Sequence, residues 1–334
     1  MVKIMKRVTI YDVARQANVS LATVSRVMNG SDVVKKATKE KVEEAIKTLG
    51  YKPNAIAQGL ALQRTTTIGL IFPEESIGTT GQLINGLCDV AKIYDYNIYL
   101  HAVTQGITNI QEAVDEVIKS RVDGVVIYCN NGLDDEATKE LDAYNIPIVA
   151  VGDRIIANSI CSVCVDYRKA VYDTCDEYIN KGIKDIAILD DRRNHNMSKE
   201  MVEGAAKCFK DHNLTFKGYL DFSSDERSTY KFLKSYFKNH RHQLMIVNRD
   251  SQALACLNAC NENGVKVPEE MEIICLNDTK YLSMVRPEVS AFEVPTYDLG
   301  AVSMRLMTKM LKNEKVEDKQ KVLGYIYKER KTTK

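Results

Sequence analysis

Residues 8–30 read Val8-Thr-Ile-Tyr-Asp-Val-Ala-Arg-Gln-Ala-Asn-Val-Ser-Leu-Ala-Thr-Val-Ser-Arg-Val-Met-Asn-Gly30, and this stretch decides how the N-terminal end of the chain folds. Thr9 and Asp12 have the spacing of a capping box, in which a hydroxyl and a carboxylate satisfy orphan amides of a first helical turn. Val13, Ala14 and Ala17 then share one face of a helix predicted over Ile10–Ala17. Asn18-Val19-Ser20 interrupts it. Ser20 is a favourable N-cap, and Ala22, Val24 and Val27 carry a second helix that ends near Asn29-Gly30. Two short helices joined by a three-residue turn make a helix-turn-helix unit, whose second helix enters the major groove N-terminus first. Leu21, Ala22, Thr23 and Arg26 then reach base edges or nearby phosphates. Arg26 is the best base reader, because its fork bonds guanine O6 and N7 together.

Downstream, Val42, Ala45, Ile46 and Leu49 recur at i, i+3, i+4 and i+7, which predicts a third helix over Thr38–Leu49, stopped by Gly50. The next segment, Lys52-Pro53-Asn54-Ala55-Ile56-Ala57-Gln58-Gly59-Leu60-Ala61, is too apolar for a plain linker. It suits a short helix that forms on docking, with Leu60 wedged between base pairs from the minor groove. Charge agrees. Residues 1–65 hold twelve Lys or Arg and five Asp or Glu, a net +7, which leaves 34 cations against 40 carboxylates, −6, in the other 269 of 334 residues. A basic head on an acidic body is the polarity needed to draw one end of a protein to a polyanion; a solvated charged face would have the same composition.

Together Val8–Arg15, Val19–Gly30 and Leu49–Ala61 resemble the headpiece and hinge of LacI/GalR-family transcription regulators. The resemblance implies that Leu21, Ala22 and Arg26 read bases. Thr9, Ser20, Thr23, Ser25 and Asn29 would contact phosphates or groove walls, Leu60 would be the intercalating hinge leucine, and Tyr11, Asn54 and Ala57 would complete the DNA-contacting set.

The hydrophobic content of 45% and charged content of 27% suit a globular protein, and no apolar run approaches the roughly 18–20 residues of a membrane span. Lys3, Lys6 and Arg7 are followed by no apolar stretch of the kind a secretory signal needs, so the expected location is the cytoplasm, on the nucleoid. Nine cysteines, all after residue 87, read as reduced thiols rather than a disulfide framework.

From Thr67 onward short β-branched runs alternate with helical stretches. The runs are Ile68–Phe72, Asn97–Leu100, Gly124–Tyr128 and Pro147–Val151, then Asp185–Leu189, Leu244–Val247 and Glu272–Leu276. The expected fold class is therefore α/β, a headpiece followed by two parallel-sheet lobes of the periplasmic-binding-protein-like kind, with ligands expected between the lobes at the carboxyl ends of strands. The expected division is a headpiece 1–52, a hinge 53–66, an N-subdomain 67–163 with 293–322, and a C-subdomain 164–292 with 323–334. A final helix over Tyr297–Leu311 would return to the first lobe.

No Gly-x-Gly-x-x-Gly, Walker loop or His-Glu-x-x-His occurs, and the five histidines show no ligand spacing with the cysteines. No catalytic residue, cofactor or metal is expected. Cys161-Ser-Val-Cys164 is the sole Cys-x-x-Cys; it runs into an extended apolar segment, so a thiol oxidoreductase is a remote reading. Cys256 and Cys260, one turn apart among apolar residues, read as core.

Within the family, Met284–Ser290, Val294–Lys309 and Thr332–Lys334 resemble the catabolite-control branch, whose corepressor is the phosphocarrier protein HPr phosphorylated on serine. That resemblance implies a dock formed by Tyr297, Asp298, Met304, Arg305, Leu306 and Lys309. Arg305 and Lys309, four apart, suit a phosphate. Two departures stand out. Tyr325-Ile326 replaces an expected histidine-arginine pair, and Cys275-Leu276-Asn277 stands where sugar-binding members show Gly-Phe-Asp. Asp250 and Asn277 remain candidate cleft residues, in a cleft expected to bind sugars weakly or not at all. No leucine heptad follows Lys309, so a homodimer on double-stranded operator DNA is expected rather than a tetramer. The alternative keeps the head and assigns control to a small molecule between the lobes.

Overall fold

The computed structural model describes residues 8–28, 30–31, 33–52, 64–74, 77–104, 110–128, 135–152, 154–155, 157, 159–189, 195–220 and 226–334. The chain divides into two compact units, 1–65 and 66–334.

In the first unit, α1 (Ile10–Ala17), α2 (Leu21–Met28) and α3 (Lys36–Leu49) pack on one another. Asp12 Oδ2 accepts the Thr9 amide at 2.9 Å and the Thr9 hydroxyl at 2.7 Å, which starts α1. Asn18, in the left-handed region at φ 51°, ends it. Ser20 Oγ accepts the Thr23 amide at 3.1 Å and starts α2. Gly50, at φ 61°, ends α3, which begins two residues before the predicted Thr38. Val13, Ala14, Ala17, Val24, Val27, Val42 and Ala45 form the core, with Ile46 and Leu49 at its rim. Three helices this short are marginal alone, so this shared apolar centre holds the unit together.

The second unit carries two six-stranded sheets. The strands are β1 (Thr67–Pro73), β2 (Asn97–Val103), β3 (Gly124–Tyr128), β4 (Ile148–Val151), β5 (Ile160–Val165), β6 (Ile186–Leu189), β7 (Tyr219–Leu220), β8 (Leu244–Val247), β9 (Glu272–Cys275), β10 (Ser290–Glu293), β11 (Gln320–Leu323) and β12 (Ile326–Lys328). The first sheet runs β11-β5-β4-β3-β1-β2, all parallel; the second runs β12-β10-β9-β8-β6-β7, parallel save for β12. Helices α4 (Ile77–Ile93), α5 (Ile110–Lys119), α6 (Asp135–Asp142) and α11 (Thr296–Leu311) accompany the first sheet. The second has α7 (Tyr167–Asn180), α8 (His195–Asp211), α9 (Glu226–Tyr236) and α10 (Asp250–Glu262). Central strands such as Ile148–Val151 and Leu244–Val247 are buried at every position, as parallel strands covered on both faces must be. The sequence predicts neither β7, β10 nor β11; a last strand read over 324–330 is the shorter β12, and β11 precedes it in the other sheet. β11 pairs with β5 in the first sheet, and β12 turns back antiparallel on β10 in the second.

The C-terminal residues are tied into the second sheet. Thr332 Oγ1 donates to the Ile273 carbonyl at 2.7 Å and accepts the Ser290 amide at 2.8 Å, and the Arg330 guanidinium grips both Asp278 carboxylate oxygens, at 2.8 and 2.5 Å. At the opposite lobe, α11 lies on α4 so closely that a Cβ at Gly86 would overlap the Tyr297 carbonyl, and one at Gly300 would overlap the Leu83 carbonyl.

Gly86→Ala and Gly300→Ala are each expected to destabilise by about 1–3 kcal/mol through overpacking, whereas Gly81→Ala, on α4 with open space around it, is expected to stabilise by about 0.5–1 kcal/mol. Thermal unfolding of the three variants checks this, and equal shifts would refute the close approach. Asp12→Ala removes the acceptor at the start of α1 and is expected to cost about 1 kcal/mol, visible as faster amide exchange over residues 10–17 with exchange in the second unit unchanged.

Candidate DNA-binding face and effector surfaces

Helix α2 presents two faces. Val24 and Val27 are buried in the headpiece core, and the opposite side shows Leu21, Ala22, Ser25 and Arg26 to solvent, with Thr23 half-buried between. These exposed positions lie on one strip of a 3.6-residue helix, so a groove could meet all four at once. Ser20 and Thr23 share a hydrogen bond between their hydroxyls at 2.9 Å beside the N-terminus of α2, where backbone amides also face outward. Tyr11 is 64% exposed and Thr9 is exposed, its hydroxyl already donating to Asp12. Asn29, Asn54, Ala57 and Leu60 lie outside the described residues.

On α11, Asp298, Arg305 and Lys309 are exposed along one stripe that Lys312 continues just past its end, with half-buried Val302 between them. Tyr297 is exposed beside it, its hydroxyl donating to Asp89 Oδ2 of α4 at 3.2 Å. Among the described residues neither Arg305 nor Lys309 is paired with a carboxylate. Met304 and Leu306, expected on this surface, are buried in the first lobe's core against β-strand and α4 side chains. They can shape the surface only from beneath. Where a basic pair was looked for, Tyr325 is half-buried and meets Phe292 edge-on with ring centres 5.1 Å apart, while Ile326 is exposed. No cation stands at either position.

The candidate cleft residues bond to their own neighbours. Asp250, at the start of α10, accepts the Thr279 hydroxyl at 2.8 Å and the Ser251 amide at 2.6 Å. Asn277 donates to the Asn248 carbonyl at 3.2 Å and to its side-chain oxygen at 3.1 Å, and accepts the Tyr167 hydroxyl at 3.5 Å. Sequence reading missed the charged contact nearby. Arg154, just beyond β4 in the first lobe, ion-pairs with Asp166 at 2.7 Å and with Glu200 of α8 in the second lobe at 3.5 Å. Burial works to raise the Asp166 carboxyl, but the bonds from Arg154 and from the Lys169 amide outweigh it and hold it below the usual carboxylate range. Nothing local in the sequence marks this pairing, since Arg154 and Glu200 are 46 positions apart.

Among the described residues every cysteine but the half-buried Cys88 is buried. Cys161 and Cys164 are buried on β5, and burial pushes the Cys161 thiol up. Cys256 is raised by its bond to Cys260 and by burial, Cys175 and Cys275 chiefly by burial, and Cys208 to about 11 by burial with Asp176, Asp211 and Asp173 adding to it. A raised thiol supplies little thiolate near neutral pH, which is the form that attacks disulfides and other electrophiles. Sequence reading saw no ligand spacing between histidines and cysteines, yet Cys208 and His212 are four apart, and the His212 amide bonds the Cys208 carbonyl at 3.1 Å.

Comparison with known proteins places this geometry. The family model for bacterial regulatory proteins of the lacI family matches residues 9–54, and that for a periplasmic binding protein-like domain matches 175–333. Catabolite control protein A of Staphylococcus aureus is 36% identical over 329 residues, 98% of this chain and 99% of that protein. The HTH-type transcriptional regulator pepR1 of Lactobacillus delbrueckii subsp. lactis is 37% identical, covering 95% of each. Among solved structures, the lac repressor dimer bound to operator and an anti-inducer superposes with a TM-score of 0.87 at 23% identity, over 98% of this chain and 99% of that one. The regulator CcpA of Lactococcus lactis gives 0.71 at 28%, over 81% of this chain and all of that one. The helix-turn-helix head, the two-sheet body and relatives aligned from end to end make the chain a DNA-binding transcription regulator that belongs to the lacI family.

Proposed function

We propose that this regulator binds a pseudo-palindromic operator in carbon catabolite genes as a homodimer, on the nucleoid in the cytoplasm, under the control of HPr phosphorylated on serine. The observation that carries the control is the exposed stripe on α11, where Arg305 and Lys309 stand one turn apart with no described carboxylate against either. A phosphoserine meets there two cations able to form charge-assisted hydrogen bonds, and Tyr297 adds an aromatic edge. The relatives named catabolite control protein A support the same assignment.

The chain is divided for this purpose into headpiece 1–52, hinge 53–66, N-subdomain 67–163 with 293–322 and C-subdomain 164–292 with 323–334. Two headpieces place α2 in successive major grooves, with Arg26 reading guanine, and Leu60 of each hinge opens the central step. The corepressor acts on the body, by favouring one arrangement of the lobes over another, and its effect is bounded by its differential affinity for the two. Control by a sugar is less favoured. Asn277 already gives its amide to Asn248 and accepts from Tyr167, and each Asp250 carboxylate oxygen already accepts one bond, from Thr279 or Ser251. An oxidoreductase role is less favoured still, with Cys161 and Cys164 buried.

Fluorescence anisotropy on a palindromic duplex with a central CG step tests the reading. Arg26→Ala is expected to lose about 1–3 kcal/mol of discrimination between the palindrome and a scrambled duplex. Serine-phosphorylated HPr is expected to tighten wild-type binding about 5–150-fold, and unphosphorylated HPr to leave it unchanged. Arg305→Ala and Lys309→Ala keep basal DNA binding and lose the tightening. Specific binding that is indifferent to phosphorylated HPr overturns the corepressor assignment, and absence of sequence preference overturns the operator reading.

A further inference from the structure

On the second lobe, three metal-binding side chains of different chemistry converge. Asp176 lies on α7; Cys208 and the following-turn His212 lie at the end of α8. One oxygen, the sulfur and one ring nitrogen all fall within 4.8 Å of one another. We propose that Asp176, Cys208 and His212 form a binding site for a divalent transition-metal ion of the zinc type.

The geometry is graded from core to solvent. Cys208 is fully buried at the base, while His212 and Asp176 side chains are 26% and 43% exposed, which leaves a way in for an ion and its water. Both α8 ligands come from a hydrogen-bonded helical turn, so their spacing is held by backbone rather than by a loop. Asp176 Oδ1 and His212 Nε2 are 2.6 Å apart and share a proton. An ion would take that proton's place, with bonds of about 2.0–2.2 Å to nitrogen and oxygen and about 2.3 Å to sulfur.

The surrounding charge favours a cation. The charges that act most on the thiol are the carboxylates Asp176, Asp211 and Asp173, opposed by Lys207. Asp211 is engaged by Lys207 at 2.6 Å and by the Tyr172 hydroxyl at 2.9 Å, and Asp173 by Lys169 at 2.6 Å, which leaves Asp176 as the carboxylate aimed at the histidine. The C-terminal end of α8 adds the negative end of a helix dipole. Sulfur, imidazole and carboxylate together select zinc-like ions over magnesium or calcium, which prefer oxygen alone. Binding releases one proton: the Cys208 sulfur loses its hydrogen to water as the sulfur–metal bond forms. The hydrogen shared with Asp176 leaves Nε2 to water as Nδ1 takes one up from water, so the imidazole stays neutral and the net release is the thiol proton, and a water fills the fourth position. The ion would pin α7 to α8, the helix that carries Glu200 opposite Arg154.

The test uses the full chain, freed of metal by a chelator and titrated with Co²⁺, then with Zn²⁺ in competition. One equivalent per chain is expected, with visible bands of tetrahedral cobalt and a near-ultraviolet sulfur-to-cobalt charge-transfer band. Cys208→Ser removes that band. His212→Gln and Asp176→Asn, at half-exposed positions, weaken affinity by at least about 10-fold, while His242→Gln, in the separate His242–Asp185 pair, changes nothing. No stoichiometric uptake, or a charge-transfer band that persists in Cys208→Ser, overturns the site. Should Cys208→Ser fail to fold, unchanged affinity in both His212→Gln and Asp176→Asn overturns it equally.

Discussion

The approach of α4 and α11, carbonyl against glycine at Gly86 and Gly300, is the constraint on which the layout of the body depends. By the time the chain reaches Thr296 it has built the whole of the second sheet except β12, and it must return to a first sheet whose other five strands were laid down more than a hundred residues earlier and which still lacks β11. Return is stable because α11 brings Leu299, Ala301, Met304 and Met307 into the first lobe's core, and because the missing Cβ atoms let the two helix backbones touch. A helix held at ordinary spacing would lose dispersion along its whole length. Its depth also sets which residues remain outside. Arg305 and Lys309 face solvent because Met304 and Met307 do not.

What was legible in the sequence was local. Thr9 with Asp12, Asn18, Ser20 and Gly50 mark helix ends by bonds or dihedrals formed within four residues, and the structure places those ends where the residues announce them. The all-apolar β-branched runs were legible for a related reason, since a strand covered on both faces has no polar alternation to blur it. Residues whose meaning is set by distant partners were read poorly. Met304 and Leu306 sit within a stretch that resembles a docking surface, yet burial is decided by where α4 lies. β11 and β12 are separated in sequence only by Gly324 and Tyr325 and are parted by which sheet edge each finds. Cys208 and His212 were missed although their spacing of four was visible, because Asp176 completes the cluster from 32 positions away.

The connections of the body bear on control. The backbone passes between the sheets after β5, after β10 and after β11, and the Arg154–Asp166–Glu200 cluster lies at the first of these passages. A relative movement of the lobes must therefore bend three strands of chain and stretch one charged contact. Asp166 has its carboxylate stabilised in that contact, so opening it exposes charge that water then has to solvate, a modest cost for groups about a third exposed. Under the proposed control, a partner on α11 would have to bind one such arrangement more tightly than the other by at least that cost.

The residues between the lobes sharpen the choice of effector. A sugar gains affinity by replacing water on open hydroxyl and amide partners, and it gains little where each partner is already bonded to protein. To meet Asn277 it would first have to part the amide from both Asn248 oxygens, an exchange of one hydrogen bond for another of similar strength, and at Asp250 it would join oxygens that each already accept one bond, from the Thr279 hydroxyl or the Ser251 amide. The exposed cations of α11 face no such competition from described carboxylates. A doubly charged phosphate approaching Arg305 and Lys309 replaces water rather than protein, and that difference in what must be displaced favours control from the surface of the first lobe over control from between the lobes.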